Sequence, residues 1–233
     1  MKKKNSTVQR KKVKFDNKHL KDPKIKKVYI TFKKQLYSQI KNEKFCIGVS
    51  GGPDSLALAF LSKIFSKEFN SKFIALIIDH NLRKQSGIEA RKVKKILTKH
   101  KIRTKILTWK GKIPKSNIQF NARNIRYFLL NKECNKLNIK NLVLAHHEGD
   151  LIENFFIRLF RGSGLKGLSS LNIKRHSEDN ILNLIRPLIN TKKNELIYIS
   201  KKVFKFYLTD PSNFKEKFLR TRIRNYLDKF KLD

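Results

Sequence analysis

The sequence predicts an α/β fold: a doubly wound, mostly parallel sheet carrying a helical C-terminal extension. Short apolar, β-prone runs at 45–49, 73–79, 105–109 and 142–145 alternate with longer helical stretches, the pattern of parallel βαβ units. Polar residues close three of those runs, at Ser50, Asp79 and His146, where the ligand crevice of such a sheet opens. Glycine is scarce, nine in 233 residues. Yet Gly48, Gly51 and Gly52 form one short cluster and Gly162, Gly164 and Gly167 another, which points to backbone requirements at both.

In chain order, residues 1–27 are rich in lysine, with Val8, Val13, Phe15, Leu20 and Ile25 as the sizeable apolar side chains. That composition predicts a mobile basic arm. Residues 28–40 read as an amphipathic helix with Phe32, Leu36 and Ile40 on one stripe. The run 45–49 is a buried strand, and 56–65, apolar and free of Gly and Pro, is a helix. A second strand at 73–79 leads to a helix at 88–100 with Ile88, Val93, Ile96 and Leu97 facing inward. A third strand, 105–109, ends on Trp109, which more often packs than stacks on a base. Helices follow at 117–137 and, after the strand at 142–145, at 151–160. Beyond residue 172 come a strand-like run at 181–189 and helical stretches at 195–206 and 215–230. Three segments result: the arm, 1–27; a core domain, 28–171; and a mixed C-terminal part, 172–233.

The turn after the first strand is Ser50-Gly51-Gly52-Pro53-Asp54-Ser55. A turn that feeds a helix start offers free backbone N–H groups and partial positive charge. It is a phosphate site. Gly51 and Gly52 let backbone approach an anion, and Ser50 and Ser55 add hydroxyl donors. Asp54 repels bare phosphate; it fits if Mg²⁺ sits between them, or if it caps the helix. No Gly-Lys-Ser/Thr follows, so this is not a Walker A loop.

Other candidates stand at the ends of later strands. Asp79 suits a ribose, a metal or a neighbouring base, or simply caps a helix. Arg123 and Arg126 are three apart and share a helical face, an arrangement suited to phosphate. Asp150 and Glu153 project together near a helix start, where they can hold a cation or serve as cap and dipole partner. His146 and His147 adjoin them, but the spacing is not that of a zinc helix. Gly162-x-Gly164-x-x-Gly167 follows a helix rather than a strand, which argues against a dinucleotide fold.

Lys and Arg total 55 against 18 Asp and Glu, a formal net charge of +37. Such an excess binds polyanions, RNA or DNA best, although A/T-rich codon usage also enriches lysine. The two cysteines, Cys46 and Cys134, are far apart in sequence and form no Cys-x-x-Cys. They read as small buried residues in a reducing cytoplasm. No apolar run approaches the length of a membrane span, and the N-terminus has no apolar core of a secretory signal.

Ser-Gly-Gly-x-Asp-Ser after an apolar strand resembles the pyrophosphate loop of the ATP-pyrophosphatase superfamily. More of the chain resembles tRNA(Ile)-lysidine synthetases. The matching residues are the 50–55 loop, Asp79-His80 with Arg83, Ala122-Arg123 with Arg126-Tyr127, and Ala145-His146-His147 with Asp150 and Glu153. Arg161-Gly162-Ser163-Gly164-Leu165-Lys166-Gly167-Leu168, Arg186-Pro187-Leu188, and Asp210-Pro211-Ser212-Asn213 leading to Arg220, Arg222 and Arg224 complete the match. It runs from about residue 28 to 227, with Asn154 where the family usually has Thr. The resemblance implies an adenine nucleotide alpha-hydrolase-like fold. It implies ATP and Mg²⁺ as cofactors, with isoleucine tRNA and free lysine as partners. It places ATP on Ser50, Gly51, Gly52, Pro53, Asp54, Ser55 and Asp79, and the metal on Asp54. Lysine falls to Asp150 and Glu153, which with Asp54, Arg123 and Arg126 make the catalytic set. Arg161, Arg186, Arg220, Arg222 and Arg224 are then tRNA contacts. Many such enzymes carry further C-terminal domains that grip tRNA; the basic arm is expected to compensate for them. Thiolation enzymes share the loop, but they use reactive cysteines near the cleft.

Overall fold

A computed structural model describes residues 18–82, 85–112, 116–164, 173–176, 182–209, 222, 223, 225 and 226, with the side chains of 119 and 175 left out. A short 3-10 turn, Lys18–Lys21, precedes α1 (Pro23–Ile40). Then follow β1 (Phe45–Val49), α2 (Pro53–Glu68), β2 (Phe73–Asp79), α3 (Ser86–Lys99) and β3 (Thr104–Thr108). The chain continues through α4 (Ile118–Lys136), β4 (Asn141–Val143), α5 (Glu148–Leu159), β5 (Lys174–His176), β6 (Asn183–Ile185) and α6 (Lys193–Phe204).

The strands form one sheet in the order β3-β2-β1-β4-β6-β5. All pairings are parallel except β5 with β6. The central strand β1 sets the pattern. Its odd residues Phe45, Ile47 and Val49 enter a core shared with α1, α2, α3 and α6. Cys46 enters the opposite core, with Leu130 and Cys134 of α4, Leu142 of β4 and Leu144 just after it. That is the two-residue alternation of a strand buried on both faces. From β1 the chain builds outward through β2 and β3, then returns to place β4 on the other side. The gap between β1 and β4 is therefore the topological switch point, where a doubly wound sheet opens its crevice.

Several boundaries differ from the sequence reading, each for a local reason. The first helix starts at Pro23 rather than at residue 28. Asp22 caps it, accepting N–H bonds from Lys24 (2.9 Å) and Ile25 (3.4 Å), and Tyr198 O–H from α6 donates to the same carboxylate (2.6 Å). Ile25 is fully buried, so residues 23–27 belong to the folded core rather than to a mobile arm. Ile88, expected inward, is 58% exposed; Ala90, Val93 and Leu97 make the buried stripe of α3. β5 was not expected, because Lys174–His176 carries no apolar alternation and is a strand only by pairing with β6. The strand-like run 181–189 contracts to Asn183–Ile185, after which the chain turns. Residues 222, 223, 225 and 226 are helical, with Ile223 buried; the rest of the helix expected at 215–230 lies outside the described residues. Among the described residues no helix is long and apolar enough to cross a membrane.

Candidate active site at the switch point

The loop after β1 is shaped by its own hydroxyl. Ser55 Oγ accepts the N–H groups of Ser50 (3.2 Å) and Gly51 (3.1 Å) and donates to the Gly52 carbonyl (3.0 Å). Gly51 has φ +89°, a left-handed conformation that favours glycine. A Cβ there would also lie 2.6 Å from Val93 Cγ2 and 2.7 Å from Leu208 Cδ1. The segment after α6 crosses this point, with Leu208 N–H donating to Gly51 O (2.9 Å). Gly52 is the N-cap of α2 and makes no side-chain cap bond. The N-terminus of α2 thus faces the crevice without a capping side chain, the feature of an anion site. Ser50 is exposed on the loop, whereas the Ser55 hydroxyl is committed to holding the loop's shape. Asp54 stands in the first turn of α2.

Across the switch point, β4 ends and His147 caps α5. Its Nδ1 accepts the Gly149 N–H (3.0 Å), and Asp150 returns the bond by accepting His147 N–H (3.0 Å). A neutral imidazole with Nδ1 as acceptor carries its hydrogen on Nε2. That Nε2 lies 3.7 Å from Asp54 Oδ2 and 3.8 Å from Asp150 Oδ2. One buried imidazole thus joins the loop carboxylate to the α5 carboxylate. His147 was noted in sequence only as a non-zinc histidine; its place follows from the cap geometry of α5, which begins three residues earlier than expected. Glu153, a turn later, is 4% exposed.

Asp79 is buried, and its Oδ1 accepts Asn81 N–H (3.0 Å) and Ser86 O–H (2.7 Å). These contacts tie Asn81 and Ser86 to the end of β2. His80, next in the chain, is held well below the usual histidine value of 6.5, at about 4, by burial first and then by the Arg126 guanidinium, with Asp79 opposing. Arg126 itself is exposed on α4. Arg123, one turn earlier, lies with its guanidinium 5.0 Å from the Tyr127 ring centre.

The expected tRNA contacts separate. Arg161 is exposed in the turn after α5, and Arg222 is exposed. Arg186 is a correction: it is 3% exposed, and its Nε donates to His146 Nδ1 (3.1 Å), so it orients a crevice histidine from inside instead of meeting a polymer at the surface. Arg83, residues 165–168, Asp210 to Asn213, Arg220 and Arg224 lie outside the described residues. Cys46 and Cys134 are both fully buried, and the fold brings them together: the neighbouring Cys134 thiol, then burial, push the Cys46 thiol up. Among the described residues no three His, Cys, Asp or Glu side chains are placed to hold a metal by themselves. Asp54, part-exposed at an anion site, does fit a Mg²⁺ ion whose other ligands are phosphate oxygens and water.

An open parallel sheet with a glycine-shaped anion loop at its switch point and carboxylates facing it defines a nucleotide-binding α/β domain. The chain belongs to the PP-loop domain family, whose ATP-binding pattern it matches over residues 25–230. Within that class its similarity is to particular proteins. It is 43% identical over 188 residues to the tRNA(Ile)-lysidine synthase of Orientia tsutsugamushi (strain Boryong), covering 80% of this chain and 42% of that one. With the enzyme of the same name from Rickettsia bellii (strain OSU 85-389) it shares 41% over 187 residues, 80% and 43% of the two chains. The chain thus spans about two fifths of the length of the curated relatives it matches. Among solved structures, the U34-tRNA thiolase NcsA from Methanococcus maripaludis superposes with a TM-score of 0.75 at 21% identity. That match covers 89% of this chain and 73% of the thiolase, and shows the shared fold.

Proposed function

We propose that this chain is the ATP-using, lysine-adding part of a tRNA(Ile)-lysidine synthase. The observation that supports it is the juxtaposition of Asp54 and Asp150, the loop carboxylate and the α5 carboxylate, within 4 Å of one His147 nitrogen. Relatives at 41–43% identity bearing that name support it. The substrate is the wobble cytidine of isoleucine tRNA, and the chain acts in the cytoplasm. The cytosine carbonyl oxygen displaces pyrophosphate from the α-phosphorus of ATP. The amine of free lysine then bonds to that ring carbon, and the oxygen leaves with AMP.

The residues have matching roles. The loop from Ser50 to Ser55 and the open end of α2 hold the departing pyrophosphate. Asp54 holds Mg²⁺, which supplies charge neutralisation when bound. Arg126, beside His80, and Arg123 steady phosphate charge. Asp150 and Glu153 hold the lysine amines, and one accepts the proton the attacking amine loses. His147 keeps Asp150 turned toward the loop. A wobble base in an unpaired loop can leave its stack at modest cost.

The thiolase fold neighbour raises sulfur transfer as a second reading. It is disfavoured, because the chain's two cysteines are packed in the core with Cys46 held as a thiol. Mass spectrometry of isoleucine tRNA incubated with the chain, ATP and lysine tests both. A gain of one lysine residue at the anticodon is expected. An anticodon that gains sulfur, or gains nothing while ATP is bound, overturns the assignment.

A further inference from the structure

We propose that the face of α4 bearing Phe120 and Phe128, with Trp109 at its edge and Arg123 on Tyr127 at its flank, is a stacking surface for unpaired RNA bases; the proposal rests on the reading of tRNA as substrate. Phe120 and Phe128 are 64% and 55% exposed. With Asn124 between them they fall at i, i+4 and i+8, one stripe of the helix. Large aromatic rings left bare on a surface helix mark a contact site rather than a core.

The neighbouring rings are pre-set. Trp109 leaves β3 at the crevice edge of the sheet, with its N–H donating to Asp79 O (2.9 Å). Its indole Nε1 donates to Lys112 O (3.2 Å). Its ring lies against Gly111, where an added Cβ would fall 2.2 Å from the indole. It meets Phe128 edge-on, 6.0 Å between ring centres at 90°. Planar groups held in place lose little side-chain entropy when a base stacks on them.

Charge chooses the occupant. From Trp109 through α4 to residue 132 the sequence holds six Lys and Arg and no Asp or Glu. A second copy of this chain, itself at +37, is repelled from such a surface, whereas a nucleic-acid strand is drawn to it. Aromatic rings interleaved with cations are the usual platform for single-stranded nucleic acid. α4 follows β3, so its first turns stand at the strand ends where the crevice opens, and a loop whose reacting base sits at the switch point has its neighbours within reach of this face.

The test uses the full chain and an RNA stem-loop carrying 2-aminopurine beside the wobble position. Stacking quenches the probe, and titration gives Kd. Phe120→Ala and Phe128→Ala, both at exposed sites, are expected to weaken binding by about ten-fold or more each and to reduce the quench. Phe128→Trp should restore both, and Phe128→Leu should not, since only a ring stacks. A fully paired RNA of equal length should compete poorly. Parent-like affinity and quench in Phe128→Leu and both alanine variants overturn the stacking surface. So does a variant that changes sedimentation of the chain but not RNA affinity, since the patch then meets protein. Because the readout is binding, it decides the matter even if the mass-spectrometric assay finds tRNA unmodified, an outcome that would sink the ligase reading alone.

Discussion

At the scale of single residues, His147 carries the most consequence for its size. Its Nδ1 is engaged by a backbone N–H, and its Nε2 is within 4 Å of both Asp54 and Asp150. Replacing it with alanine removes a cap and the group that keeps the two carboxylates facing the crevice. His147→Ala is expected to lower kcat about 10- to 100-fold, the equivalent of one to a few lost polar interactions. AMP release in the presence of tRNA and lysine is the measurement. A parent-like kcat with reduced thermal stability would mean the imidazole only caps α5. His80 gives a second residue-scale prediction. Burial and Arg126 hold its folded value at about 4 against 6.5 when unfolded. Between those values the unfolded chain takes up a proton that the folded chain declines. Stability from this group therefore rises with pH across that window and is flat above it. Urea midpoints at about pH 5 and about pH 7 should differ more in the parent than in His80→Gln. An equal difference would place the titration elsewhere.

At the scale of elements, α6 and α2 form a unit that holds the loop. Ser200 of α6 is fully buried, and its hydroxyl donates to the Pro53 carbonyl (2.6 Å) in the first turn of α2. Ser200→Ala should cost about 1 kcal/mol, read as a Tm lower by about 2–4 °C, and should raise KM for ATP because the anion-binding turn loses its support. Unchanged values of both would make the contact incidental. What the sequence made legible follows the same division between local and distant. β1, its turn and α2 are a local pattern: an apolar run, two glycines, then a stretch free of helix breakers. Asp150 and Glu153 are likewise set by helical spacing alone. Arg186 misled because arginine is usually exposed, and its partner His146 is 40 residues away. β5 exists only through β6, Cys46 meets Cys134 only through the fold, and the start of α1 depends on Asp22 being gripped by Tyr198, 176 residues on. Long-range partners leave no mark in local sequence, so these were the places where local reading failed.

At the scale of the whole molecule, the decisive property is the charge of +37 on 233 residues. Each phosphate contact adds about 0.7 to the slope of log K against log salt for single strands and about 0.9 for duplex. The α1 cap is Asp22, so deleting residues 1–17, with seven Lys and Arg against one Asp, leaves the cap in the chain. If this segment grips RNA, its deletion should flatten the salt slope by at least about 2 units and weaken tRNA binding most at low salt. Turnover at saturating tRNA should stay near that of the parent, because no crevice residue is altered. Filter binding across a salt series, paired with a steady-state assay, separates the two effects. A slope that does not change would confine the RNA footprint to the folded domain, where the acid-free stretch from 90 to 132 already supplies fourteen cations. A slope that falls together with kcat would mean instead that the segment helps seat the anticodon, since a purely electrostatic tether alters affinity and leaves the chemical step untouched.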